Sequence, residues 1–334
     1  MQRLGLILLA LLLFATPALA TTAAGTLTAN FDLSAQATGQ EVRLWLPYPV
    51  SDADQAISNV RIGGDYAEAG VYTDRTYGTP MFYARWAADA KSRVLTFSFD
   101  VVRNEVQVRD LSTPETPWDP SDYARFLAPT MLGPTDGQIK KIADEITKGE
   151  TTVLGKTFAV YNWIVENMYR DPETRGCGSG DVCALLLRPG GKCADISSVF
   201  IALARAAGVP CREVFGIRLG KAPIVDVSTW QHCWAEFYLP GTGWVPVDPA
   251  DVRKAMLVQK LGLKDPKVAE LRSYFWGGID PYRVRLSEGR DLLLAPPQAG
   301  APLNYLMYPY AEVGGQVIDW LAPATFKYSI TYRQ

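Results

Sequence analysis

Alternating apolar and polar positions dominate the first third of the chain. The stretches "EVRLWLPYP", "MFYARW" and "RVLTFSFDVVRNEV" carry hydrophobic side chains at every second residue or in short runs, with Gly, Pro and Asp between them. A period of two with closely spaced turn residues predicts short antiparallel strands, so residues 21–112 are expected to form a β-sandwich. Pro114, Pro117, Pro120, Pro129 and Pro134 then crowd together. That density predicts a stiff linker over 113–135 with no interior helix or central strand.

Beyond Pro134 the period becomes helical. "PTDGQIKKIADEITKG" offers Asp136 as an N-cap, aligns Ile139, Ile142 and Ile146, and stops at Gly149. "TVLGKTFAVYNWIVENMYRD" predicts a second helix with Phe158, Val160, Trp163, Ile164 and Met168 as its apolar positions. In "GGKCADISSVFIALARAAGVP" the residues Ile196, Val199, Phe200, Leu203 and Ala207 recur at i, i+3, i+4 and i+7, and Gly208 with Pro210 ends the helix. The period then returns to two. "CREVFGIRLG", "HCWAEFYL" and "GWVPVDP" predict antiparallel strands, the last two joined by a turn at 240–243. A Pro- and Tyr-rich tail over 286–334 closes on a final strand, "FKYSITYR".

The first twenty residues stand apart from both patterns. Arg3, an apolar run from Leu4 to Phe14, Pro17 and Ala18-Leu19-Ala20 have the layout of a cleavable secretory signal, with cleavage expected after Ala20. A periplasmic or secreted protein with no membrane anchor after cleavage is the expectation, because the run is shorter than the roughly 20 residues a spanning helix needs. The roughly 310 remaining residues exceed a typical single core, which favours two domains. The 33 basic and 35 acidic residues are scattered without blocks of like charge, so nucleic acid is not an expected partner.

Five cysteines in an exported chain leave at least one sulfur unpaired. Cys177 and Cys183 share the glycine-rich "RGCGSGDVC" and form the natural disulfide candidate. Cys211 and Cys233 lie in strand-like segments, where a thiol acts as a small buried hydrophobe. Cys193 could be a buried structural thiol, half of a disulfide or a nucleophile. Its place in the first turn of a helix stabilises a thiolate. Gly190 and Gly191 before it permit a tight turn with room for a carbonyl, and its own N–H could receive an oxyanion.

A nucleophilic thiol needs a base, and the chain holds one histidine, His232. Asp248 ends the following strand. Pairing Tyr238 with Trp244 would set Trp234 opposite Asp248, leaving Asp248 diagonal to His232 on the same face, within reach of a carboxylate–imidazole hydrogen bond. The competing readings are a core or surface histidine and turn chemistry at Asp-Pro. Asp195 suits a first helical turn for electrostatic reasons alone. Glu236 could line a groove beside His232 or be solvated. One histidine and no C-x-x-C pair argue against zinc, and no glycine-rich phosphate loop appears, so no cofactor is expected.

"GGKCADISSVFIALARAAGVPCREVFG", "HCWAEFYLPGTGWVPVDPAD" and the helix pair before them resemble the core of the transglutaminase-like superfamily, relatives of papain-type cysteine proteases, over roughly 136–280. The resemblance implies an α+β chain. A catalytic core at 136–285 would set the helix bearing the nucleophile on an antiparallel sheet, behind a β-domain like that of exported bacterial members. It further implies Cys193 as nucleophile, His232 as general base and then acid, and Asp248 as the residue orienting it. Acyl transfer through a thioester would follow on a protein or peptide substrate, as a peptidase or amidase or as a cross-linking transglutaminase. Tyr169 becomes a candidate oxyanion donor, with a ring packed under the Cys177 loop as the alternative. Trp230 and Trp234 could wall a substrate groove or be cross-strand packing. A non-catalytic envelope binding module on the same fold is the competing function.

Overall fold

A computed structural model describes residues 21–108 and 110–334. The expected signal segment, 1–20, lies outside the described residues. The fold is α+β with antiparallel principal sheets.

Two five-stranded sheets make the sandwich. One runs in the order Ile224–Asp226, Lys327–Arg333, Thr22–Asp32, Val94–Asn104, Gln55–Gly64. The other runs Gln316–Ile318, Tyr310–Val313, Val42–Pro47, Pro80–Trp86, Glu68–Thr73. Strand Val94–Asn104 keeps the strict alternation of its sequence, burying Leu95, Phe97, Phe99 and Val101 against Leu27, Phe31, Leu44 and Phe82. The tail is more deeply built in than a terminal extension: it supplies one strand to the first sheet and two to the second. Lys327–Arg333 lies antiparallel to the first strand, Tyr332 opposite Leu27, so the two ends of the described chain share one sheet.

The second unit holds a four-stranded sheet in the order Gly243–Val247, Gln231–Leu239, Cys211–Arg218, Arg283–Glu288. Helix Cys193–Ala206 packs on it and is covered on its far side by helices Gly137–Ile146 and Val153–Asn167. Every residue of Cys193–Ala206 is buried, as an almost wholly apolar helix requires. Its polar members find partners: Arg205 donates to the carbonyls of Cys211 (2.8 Å) and Ala128 (2.8 Å), and Ser198 to that of Ala194 (2.6 Å). Such a central helix cannot tilt without opening the core. Truncating Phe200, fully buried, would cost about 3–5 kcal/mol.

Two sequence expectations need correction here. Residues 120–127 are not an extended linker: Asp119 accepts from the Ser121 N–H (2.8 Å), Pro120 opens a 3₁₀ turn, and Ala124–Leu127 forms one helical turn. Phe126 supplies the reason, packing edge-on against Trp244 with ring centres 4.7 Å apart. Helix Val153–Asn167 buries Thr157, Val160, Tyr161, Ile164 and Val165, whereas Phe158 is half-exposed and rests against Trp276. Helices Val182–Leu187, Pro249–Gln259 and Pro266–Tyr274 were not anticipated. The latter two begin at Asp-Pro, an N-cap followed by proline in the first turn. Among the described residues, no helix is long and apolar enough to cross a membrane.

Candidate active site

The hairpin joining Gln231–Leu239 to Gly243–Val247 has the expected register, with Tyr238 opposite Trp244 and Ala235 opposite Val247. Asp248, the next residue, caps helix Pro249–Gln259 by accepting the Asp251 N–H at Oδ1 (2.8 Å). Its other oxygen, Oδ2, lies 2.7 Å from Nε2 of His232. Nδ1 is therefore the ring nitrogen left for the thiol. Cys193 opens helix Cys193–Ala206, and His232 and the thiols of Cys177 and Cys233 all bear on its sulfur. Cys193, His232 and Asp248 are thus brought together, each at least 98% buried.

The surroundings favour a thiolate. Hydrogen bonds from Cys177 and Cys233, opposed by desolvation and joined by His232, hold the Cys193 thiol well below its ordinary value. The same contacts and burial push the Cys177 and Cys233 thiols well above theirs. One thiol of the three is set to ionise, and it is the one at the helix N-terminus.

The helix start is clamped by Asp195, which does more than the dipole role its place in the first turn implies. Asp195 is buried and accepts the Lys192 N–H at Oδ2 (3.0 Å) and the Gly180 N–H at Oδ1 (2.8 Å), tying the glycine loop to the first turn. The Ala194 N–H donates to the Cys177 carbonyl at 3.0 Å. Among the described residues, the N–H of Cys193 has no hydrogen-bond partner. Gly191 is required because a Cβ there would lie 2.4 Å from that of Asp195, and a Cβ on Gly190 would lie 2.4 Å from the ring of Tyr169.

The remaining expected site residues fall in several places. Tyr169, 48% exposed, pairs with Gly190 in a two-residue parallel bridge and lays its ring over that glycine. Trp230 is exposed, one residue before strand Gln231–Leu239. Trp234 is not a groove wall open to solvent: it is 1% exposed and packed on Val214 and Ile279. Glu236 is neither solvated nor free, since Arg212 holds it at 2.7 Å. The Cys177–Cys183 disulfide is not formed. Asp181 caps helix Val182–Leu187, and Cys183 on that helix is exposed. Cys177 turns inward, where its Sγ lies 3.3 Å from the Gln231 carbonyl and accepts from the Tyr308 hydroxyl (3.2 Å).

Sequence reasoning missed Arg283, fully buried beside the triad. Its guanidinium donates to Asp248 Oδ2, to Asp251 (2.6 Å) and to Asp280 (2.8 Å), while Arg218 holds Asp251 from another side at 2.5 Å. Burial alone would lower the Arg283 pKa, but Asp251, Asp248 and Asp280 outweigh it and raise it. Donor atoms of His232, Asp248 and Asp251 lie within 4.8 Å of one another, a spacing that could suit a metal ion. The guanidinium of Arg283 already supplies the cation there. The i, i+3 pairs Asp248/Asp251 and Asp280/Arg283 were visible in "DPAD" and "DPYR", but nothing in either marked them as converging.

Residues 140–249 match the transglutaminase-like superfamily. An uncharacterized protein of Haemophilus influenzae is 38% identical over 313 residues, spanning 86% of this chain and 85% of that one. The chain belongs to the transglutaminase-like superfamily. A candidate cysteine protease from Cytophaga hutchinsonii shares its fold, with a TM-score of 0.55 at 15% identity, over 94% of this chain and all of that one. The periplasmic domain of TgpA from Pseudomonas aeruginosa aligns over 72% of this chain and 92% of its own length, with a TM-score of 0.36 at 16% identity.

Proposed function

We propose that this protein is an exported cysteine enzyme that transfers acyl groups through a thioester on Cys193. The observation that carries the reading is that the chain's one histidine holds Asp248 by Nε2 at 2.7 Å while its ring adjoins a thiol at a helix N-terminus.

In this reading the Cys193 thiolate attacks the carbonyl carbon of an amide. The Cys193 N–H receives the oxyanion, and the Tyr169 phenol is the second donor. His232 gives its Nδ1 proton to the departing amine or ammonia, and the thioester remains. Water or a second amine then attacks, with His232 now acting as base, and the thiol is restored. Asp248 holds the ring by Nε2 throughout. Nucleophile and base are almost fully covered, so a substrate reaches them only when part of that cover moves aside.

Alkylation separates this from a binding module on the same fold. Rapid reaction of Cys193 with iodoacetamide at neutral pH, sharply slowed in His232→Ala, is expected; slow labelling equal in both proteins would sink the proposal. An amine probe and a glutamine-containing protein, offered to wild type and Cys193→Ala, then assign the reaction. Cysteine-dependent incorporation means transamidation, and cysteine-dependent cleavage without it means a peptidase or amidase.

A further inference from the structure

Three thiols meet at this site, although one is enough for the proposed chemistry. The Cys177 and Cys233 thiols both bear on the Cys193 sulfur, and no pair is bridged. The two neighbours differ in their freedom to move. Cys233 sits within strand Gln231–Leu239, locked opposite Phe215 in the ladder. Cys177 sits in a loop whose Gly176, Gly178 and Gly180 have φ of 57°, 94° and 74°, conformations that glycine adopts without strain. The bond from Ala194 N–H to the Cys177 carbonyl (3.0 Å) keeps that loop beside the nucleophile, and the Tyr308 hydroxyl donates to the Cys177 sulfur at 3.2 Å.

We propose that Cys177 is a resolving thiol, which captures oxidised Cys193 as a reversible Cys177–Cys193 disulfide and so protects and silences the enzyme. The oxidant is a hydroperoxide, and hydrogen peroxide is small enough to reach a site this closed. The Cys193 thiolate attacks the distal peroxide oxygen, the O–O bond breaks, and Cys193 becomes a sulfenic acid as water or an alcohol departs. The Cys177 sulfur then attacks the sulfenic sulfur. Its proton leaves with the hydroxyl as a second water, and a dithiol has lost two electrons to the peroxide. Without Cys177 the sulfenic acid would go on to the irreversible sulfinic state.

The inference rests on Cys193 being the reactive thiol, and its readout is a mass map that needs no turnover. The protein beginning at Thr21 is treated with limiting hydrogen peroxide and digested without reductant. One linked peptide joining Cys177 to Cys193 is expected, with loss of iodoacetamide labelling at both, retention at Cys183, and full return with dithiothreitol. In Cys177→Ser, sulfinic acid should build up at Cys193 and resist dithiothreitol, whereas Cys233→Ser should still form the bridge. A Cys193–Cys233 bridge in wild type would overturn the assignment. So would sulfinic acid accumulating equally fast in wild type and Cys177→Ser. Failure of acyl transfer with the bridge intact would instead count against the proposed function alone.

Discussion

Nη1 of Arg283 lies 3.1 Å from Nε2 of His232, and both bear on one oxygen, Oδ2 of Asp248. A guanidinium nitrogen can only donate, so a proton on Nε2 must point at the carboxylate and not at Arg283. That assignment leaves Nδ1 to serve Cys193. It also gives the cluster a charge balance: the carboxylates of Asp248, Asp251 and Asp280 face the guanidiniums of Arg218 and Arg283, which leaves one negative charge for an imidazolium to neutralise.

Arg283→Met tests that balance. The substitution keeps much of the volume but leaves buried carboxylates without their main partner. Removing one member of a buried ion cluster costs about 3–5 kcal/mol. Urea unfolding should show a loss of that order, and a loss below about 1 kcal/mol, the scale of a surface pair, would mean that Arg283 is dispensable to the cluster.

Asp248 carries two roles that different substitutions separate. It caps helix Pro249–Gln259 through Oδ1 and holds His232 through Oδ2. Asn caps almost as well as Asp but brings no charge to the imidazolium. Asp248→Asn should therefore keep the cap, losing stability only through its place in the Arg283 cluster, while kcat falls by up to about 10⁴, the loss known for the equivalent change in a serine triad. Asp248→Ala should lose activity too, and a further ~0.5–2 kcal/mol of stability for the missing cap. Equal unfolding midpoints for the two variants would refute the capping role.

Local signals in the sequence reached far into this site. The helix at Cys193 was legible from its apolar period, and the hairpin parity that sets Asp248 beside His232 from two alternating runs and a glycine turn. What could not be read was convergence between distant segments. Arg283 lies 51 residues beyond His232 and becomes its neighbour only when strand Arg283–Glu288 joins the sheet. Cys177 looked like a partner for Cys183 because the two are close along the chain. Tertiary packing rules instead, turning one into the core while a short helix carries the other to the surface. Strand Lys327–Arg333 was recognisable as a strand, but its place beside the first strand is a non-local pairing that local pattern does not encode.

Asp251 should make the fold acid-sensitive. Burial would raise its pKa, but Arg218, Arg283 and His232 hold it well below the ordinary 3.8. A carboxylate whose folded pKa is depressed contributes stability that is fully present above the unfolded value and is lost as pH falls through the folded one. Unfolding free energy should therefore drop as pH falls from about 4, since the unfolded chain then binds the extra proton. Asp251→Asn should be less stable at neutral pH and show a shallower decline below pH 4. Parallel curves for the two proteins in urea titrations across that range would remove Asp251 from the account.

The thiolate at Cys193 gives the sharpest pH test. Its pKa is held well below the ordinary thiol value by the Cys177 and Cys233 hydrogen bonds, against desolvation, and by the His232 ring. Alkylation rate follows thiolate fraction, so the wild-type rate should stay level from alkaline to neutral pH and fall only in acid. An ordinary thiol would lose tenfold in rate for each pH unit below about 8.5. Site closure scales the whole profile without moving its midpoint. Replacing His232 by Ala removes one contributor, and replacing Cys177 by Ser retains a hydroxyl donor toward the sulfur. The midpoint should therefore move up clearly in His232→Ala and little in Cys177→Ser, as read by mass spectrometry of the Cys193 peptide. A wild-type midpoint near 8.5 would mean that the helix start and its neighbours do not activate the sulfur at all.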